Sequence, residues 1–159
     1  MKRKVFYSFH FENDVMRVQQ IRNIGVIEED KPVTPNKWEE IKRGGDPAIE
    51  RWIDNSISRA DCVVILIGEE TYNSKWVKYE IRKAWNDGKG LVGIYVHNLK
   101  DPRFGICSQG LNPFDFVSLN NGKKLSEYIS VYNPDSDAYG YIAKYIDQIV
   151  EKGIESRKK

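Results

Sequence analysis

The stretch of this chain that could do chemistry is Ser74-Lys75-Trp76-Val77-Lys78-Tyr79-Glu80-Ile81. Trp76 and Glu80 stand four residues apart, so on a helix they are neighbours on one side. Glu80 lies at the border of that helix's apolar stripe, where a carboxylate is partly desolvated and its charge counts for more than in water. Other constellations are missing. Neither G-x-x-x-x-G-K-[ST] nor G-x-G-x-x-G occurs, so the familiar phosphate-cradling loops are absent. The two histidines, His10 and His97, stand far apart without an obvious nucleophile, and Cys62 and Cys107 make neither a metal spacing nor a disulfide framework. No metal site is therefore expected. A phosphoryl-accepting regulator would need acidic residues after its first strand and an aspartate after its central one; Ser8-Phe9-His10 and Gly68-Glu69 stand there instead.

A scaffold must position Glu80, and the periodicities outline one. Lys4-Val5-Phe6-Tyr7-Ser8-Phe9 is β-branched and aromatic, the pattern of a first strand. After the polar cluster His10-Glu12-Asn13-Asp14, the residues Val15, Val18, Ile21 and Ile24 recur at helical spacing up to Gly25. Residues 26–45 are ambiguous: Pro32, Pro35 and Gly44-Gly45 bound a Trp38-Glu39-Glu40-Ile41 stretch that suits either one helical turn or a long loop. Asp46-Pro47 reads as an N-cap followed by a first-turn proline, and Ala48, Ile49, Trp52, Ile53 and Ile57 form one apolar stripe. Cys62 to Ile67 is continuously apolar before Gly68, as in a central strand buried on both faces of a parallel sheet. Thr71 to Ser74 caps a helix over 75–87, with Val77, Ile81, Ala84 and Trp85 inward and Gly88 beyond its end. Leu91 to Val96 is another buried strand, 98–124 a long loop, and Ile129 to Tyr132 a weak last strand. Ile142, Ile146, Ile149 and Val150 share a face of a C-terminal helix that follows Ser136-Asp137. Strands alternating with helices imply an α/β fold whose ligands sit at the carboxyl ends of the strands. Ser8, Phe9 and His10 occupy such a place.

Bulk properties narrow the class. A chain of 159 residues, 40% hydrophobic, supports one sizeable core, so a single domain over 1–159 is expected. Its 25 basic and 23 acidic residues leave a net charge of +2, scattered except at Arg157-Lys158-Lys159, which calls for neither nucleic acid nor membrane. The basic start Met1-Lys2-Arg3-Lys4 precedes an apolar run too short for a signal peptide, and no run of roughly 18 apolar residues could span a bilayer. A cytoplasmic protein is the expectation.

The pattern S-x-W-x-x-x-E followed by an aliphatic residue, Ser74 to Ile81, resembles the catalytic-helix motif of TIR domains, and Val5-Phe6-Tyr7-Ser8-Phe9 resembles their first strand. The chain is most similar to the bacterial TIR-like subunit of Thoeris anti-phage defence systems. That likeness also takes in Arg17-Val18, Arg22-Asn23, Trp38-Glu39 with Lys42 and Asp46, Val64 to Gly68, and Asn112-Pro113-Phe114-Asp115. It covers roughly residues 4–116 and fades over 98–159. The resemblance implies a three-layer flavodoxin-like fold around a central parallel sheet, with Glu80 catalytic. It also implies NAD as substrate, with no cofactor, and release of nicotinamide in the manner of a glycohydrolase or ADP-ribosyl cyclase. The product would be ADP-ribose or a cyclic isomer of it that activates a separate effector protein; a phage-derived trigger and a homo-oligomer are compatible with it. Chemistry agrees with a lone carboxylate: nicotinamide leaves as a neutral base from a cationic pyridinium, so help is needed at the ribose, where positive charge develops.

Substrate contacts are expected from Ser8, Phe9, His10, Trp38 and Trp76. Four of them have a plainer reading: Ser8 as a turn cap, Phe9 and Trp76 as packing, Trp38 as a buried aromatic rather than a stacking surface. Arg22 and Lys42 could meet a pyrophosphate, although surface ion pairing is the commoner role. Two other functions fit the same residues. One is a non-catalytic TIR-type scaffold, which would leave NAD intact; the other is a nucleoside deoxyribosyltransferase, which would act on deoxynucleosides.

Overall fold

The structure, a computed structural model, describes residues 3–25, 27–29 and 35–158. Pro32, Met1-Lys2 and Lys159 lie outside the described residues. Five strands form one sheet in the order β2-β1-β3-β4-β5, every neighbouring pair parallel. They are β1 (Lys4–Ser8), β2 (Glu28–Glu29), β3 (Cys62–Ile67), β4 (Gly90–Tyr95) and β5 (Val131–Tyr132). The order is the flavodoxin-like one, whose ligand crevice opens where strand succession reverses, beside β1 and β3. The expected α/β, flavodoxin-like, TIR-like fold is what the chain adopts.

β3 is buried along its whole length because it is covered twice. Its side chains alternate. Cys62, Val64 and Leu66 join Val18 and Ile21 of α1 (Phe11–Arg22) and Ile142, Ile146 and Val150 of α5 (Ala138–Arg157) in one core. Val63, Ile65 and Ile67 face Ile49, Ile53 and Ile57 of α3 (Gly45–Ser58) and Val77 and Ile81 of α4 (Lys75–Asn86) in the other. α2 (Pro35–Arg43) rests on the second core through Trp38 and Ile41.

Three expectations need revision. The ambiguous segment holds both a two-residue edge strand, β2, and a nine-residue helix, α2, rather than a loop or a single turn. Asp46 is not the N-cap of α3. Gly44 is, without a side-chain cap, and Asp46 lies in the first turn with its carboxylate accepting from Lys75 Nζ at 2.6 Å. The inward residues of α1 are Asp14, Arg17, Val18 and Ile21, not Val15. A buried ion pair thus occupies part of a face that periodicity assigns to aliphatics.

Residues 96–130 carry no α-helix between β4 and β5; in its place Pro113–Phe116 forms a 3-10 turn. Phe114, fully buried, fills the gap over Gly93, where an added Cβ would stand 3.0 Å from the ring. Asn112 starts the turn by accepting from Phe114 N at 2.9 Å. That accounts for the Asn112-Pro113-Phe114-Asp115 run as packing. No helix among the described residues is long and apolar enough to cross a membrane.

Candidate active site

α4 begins where Ser74 Oγ accepts from Val77 N, and ends before Gly88, whose φ of 71° suits glycine. Between these signals the helix buries Val77, Glu80, Ile81 and Ala84. Glu80 is therefore part of the inner face. Strand alternation in β1 sends Phe6 and Ser8 to the same side of the sheet, so the end of β1 meets the middle of α4. There Ser8 Oγ donates to Glu80 Oε1 at 2.5 Å, with both side chains buried. Burial pushes the Glu80 carboxyl up from an ordinary 4.5 to about 8, and the Ser8 hydrogen bond, which favours the ionised form, opposes this only in part.

Glu80 is on the wall of a cavity of about 350 Å³. That volume is within the usual range for small-molecule sites. Phe9 and His10 enter from the turn between β1 and α1, Phe11 from the start of α1, Trp38 from α2, Trp52 from α3, and Trp76 from α4. The rings form a continuous series along one side: Phe9 stacks on Phe11 at 5.8 Å, Phe11 on Trp38 at 5.8 Å, and Trp38 meets Trp52 edge-on at 6.2 Å. Trp76 packs against Tyr79 at 5.8 Å. Aromatic faces around one buried carboxyl offer a slot for a flat, charged heterocycle attached to a sugar.

The sequence-predicted residues divide. Glu80, Phe9, His10, Trp38 and Trp76 line the cavity; Ser8 does not, and touches it only through Glu80. Trp38 is half-buried with its indole N–H lacking an acceptor among the described residues, so it is both packed and on the wall. His10 caps α1, its Nδ1 accepting from Asn13 N at 3.4 Å. His97 sits elsewhere, buried near Arg17, and burial lowers its pKa. Arg22 is taken up in a two-pronged pair with Glu29 at 2.5 and 3.0 Å and does not line the cavity. Lys42 does, while pairing with Glu39 and Glu12. Sequence reasoning missed Phe11, Trp52 and Lys75 as wall residues. For Lys75 a signal existed, since the residue after the N-cap and before Trp76 must stand at the mouth if Glu80 stands inside.

The comparisons fall on this region. The family model described as "Thoeris protein ThsB, TIR-like domain" matches residues 6–101, a span that includes every residue of the cavity wall. A protein of Bacillus cereus (strain MSX-D12), described as "Putative cyclic ADP-D-ribose synthase ThsB1", is 33% identical over 136 residues, covering 80% of this chain and 71% of that protein.

Proposed function

The chain belongs to the family of Thoeris ThsB TIR-like domains, and on that premise we propose that it consumes NAD, breaking the nicotinamide–ribose bond with Glu80. In this reading the C1′–N bond breaks and its electron pair goes to the pyridinium nitrogen, so nicotinamide departs neutral. The ribosyl carbon left behind is electron-poor, and an ionised Glu80 beside it stabilises that charge. A nucleophile then adds to C1′: water, giving ADP-ribose and a proton, or a group of the same molecule, giving a cyclic isomer. We favour the cyclic product because the relative's description names a cyclic ADP-D-ribose synthase. Such a product would act as a diffusible signal to an effector in anti-phage defence.

The observation that carries the proposal is the isolation of Glu80. The carboxyl is buried on a cavity wall, its hydrogen-bond partner is the neutral Ser8, and no charged neighbour contributes to its raised pKa. With its pKa raised to about 8, it is mostly protonated at pH 7. A ribosyl-pyridinium cation arriving within roughly 4–6 Å favours its ionised form. The substrate thus brings the counter-charge that switches its own catalyst on.

Incubation of purified protein with NAD, followed by chromatography and mass spectrometry, tests this. Nicotinamide and an ADP-ribosyl product are expected, and Glu80→Gln should cut the rate by on the order of a hundredfold or more while the circular dichroism stays unchanged. The same nucleotide analysis in phage-challenged cells covers a requirement for a trigger. Undiminished cleavage by folded Glu80→Gln protein would refute the role of Glu80. Intact NAD in both settings would favour a scaffold, and base exchange on deoxynucleosides a deoxyribosyltransferase.

A further inference from the structure

Two cations stand at the cavity's rim on different helices. Lys42 of α2 lies with Nζ 5.9 Å from the centre of the Trp38 ring, and Lys75 of α4 with Nζ 4.8 Å from that of Trp76. Both lysines and both indoles line the cavity. Each ammonium thus lies within cation–π reach of an indole of the wall while keeping access to solvent. The positive ends of α1 and α4 meet the same mouth, since His10 and Ser74, their N-caps, both belong to the wall or its edge.

The resting partners of these lysines are weak holders. Lys42 Nζ has Glu39 at 3.1 Å and Glu12 at 3.6 Å; Lys75 Nζ has Asp46 at 2.6 Å. All three carboxylates are at least 60% exposed. Ion pairs so exposed contribute little and are screened by salt, so a more highly charged anion can displace the carboxylates and leave them hydrated. The cavity is therefore polarised: inside is a carboxyl without a cation, and at the rim are two cations with replaceable anions. A molecule matching this order has a cationic ring on a sugar at one end and a pyrophosphate a few bonds away.

We infer that Lys42 and Lys75 form a two-point clamp for the pyrophosphate of the dinucleotide, Lys42 from the Trp38 wall and Lys75 from the Trp76 wall. The inference rests on the NAD reading above. It adds an orientation: the nicotinamide ribose lies inward at Glu80 and the diphosphate at the mouth.

Binding to Glu80→Gln protein, which prevents turnover, provides the test, with tryptophan fluorescence as the readout. The probes are NAD and nicotinamide riboside, which share the ribosyl-pyridinium but differ in phosphate. Lys42→Met and Lys75→Met in this background keep the aliphatic stem over each indole. Each is expected to weaken NAD binding on the order of tenfold, and the pair together by more, with a flatter dependence on salt. Riboside binding should stay within about twofold. Equal losses for both ligands, or an unchanged Kd for NAD, would overturn the clamp and leave the role of Glu80 standing. If neither the background protein nor the wild type binds or turns over either ligand, the NAD reading falls and the clamp with it.

Discussion

Two of the buried carboxyls, Asp14 and Glu80, are treated in opposite ways by the chain. Asp14 of α1 is fully buried with its own cation. Arg17 Nη1 donates to Asp14 Oδ1 at 2.8 Å, and the same guanidinium donates to the carbonyls of Leu99 at 2.9 Å and Gly105 at 2.7 Å. Gly68 leaves room for that carboxylate, since a Cβ there would stand 2.2 Å from Asp14 Oδ2. Glu80 has no such escort: a neutral hydroxyl on one side and an open cavity on the other. Burial raises both carboxyls, but for Asp14 the guanidinium works against it. The contrast separates frame from chemistry. A carboxylate paired with a guanidinium belongs to the frame, since that guanidinium ties the segment after β4 to α1; one without a cation on a cavity wall is poised for a cation from outside.

Removing the escort should produce the largest change. Arg17→Ala strands a buried carboxylate and two carbonyls, and is expected to lower unfolding stability by ~3–5 kcal/mol, read from urea denaturation at pH 7. A loss below about 1 kcal/mol would mean that the pair behaves like a surface one and that the contrast is false.

Glu80→Gln should act in the reverse direction. Because the folded carboxyl titrates near 8 and the unfolded one near 4.5, the native protein binds the extra proton between these values. Wild-type stability contributed by this group therefore declines as pH rises from about 4.5 through about 8. Glutamine has nothing to titrate and can still accept from Ser8. The variant should match wild type near pH 4 and be the more stable by ~3–5 kcal/mol at pH 9, as measured by paired denaturation curves across pH. Parallel curves would show that Glu80 is not desolvated.

The Ser8 contact sharpens the comparison further. The rising limb of kcat/KM for NAD should centre near pH 8, where free Glu80 ionises. Ser8→Ala deletes the one bond that favours the anion, so the limb should move to higher pH by roughly one unit. A fall in rate at every pH with no displacement would give Ser8 a packing role only.

Asp46 marks the small end of the scale. As an exposed first-turn residue paired with Lys75 rather than an N-cap, it should cost only ~0.3–1 kcal/mol on replacement by alanine, seen as a shift in Tm of a degree or two at most per few tenths. A larger loss would restore the capping role that its sequence context suggests.

Much of this architecture was legible from local pattern. Cys62 to Ile67 announces a doubly covered strand because no polar residue interrupts it, and Ser74 and Gly88 bracket α4 because cap chemistry is local. Spacing put Glu80 beside Trp76 at the edge of the aliphatic stripe, but it was the resemblance of Ser74 to Ile81 to the TIR catalytic-helix motif that singled it out. α2 was less legible: between Pro32 and Gly45 its few apolar residues give a short, weak period, and it is packing of Trp38 and Ile41 on the second core that accompanies the helix there. The burial of Arg17 was not legible, since periodicity cannot foresee that carbonyls eighty residues on will make burial of a guanidinium tolerable.

Outside the segment of β2 and α2, the sequence by itself determined which segments become strands and helices, which residues flank the strand ends, and that Glu80 and Trp76 share a helix side. These are consequences of spacing, of backbone preference and of short-range capping. Tertiary structure alone decided what Glu80 meets. Its pairing with Ser8 joins residues 72 positions apart, and the ring series from Phe9 to Trp52 is assembled from three separate segments. So is the cavity lining that includes both Lys42 and Lys75. Desolvation, and with it the raised pKa, belongs to surroundings contributed by distant parts of the chain, so no local reading of residues could supply it.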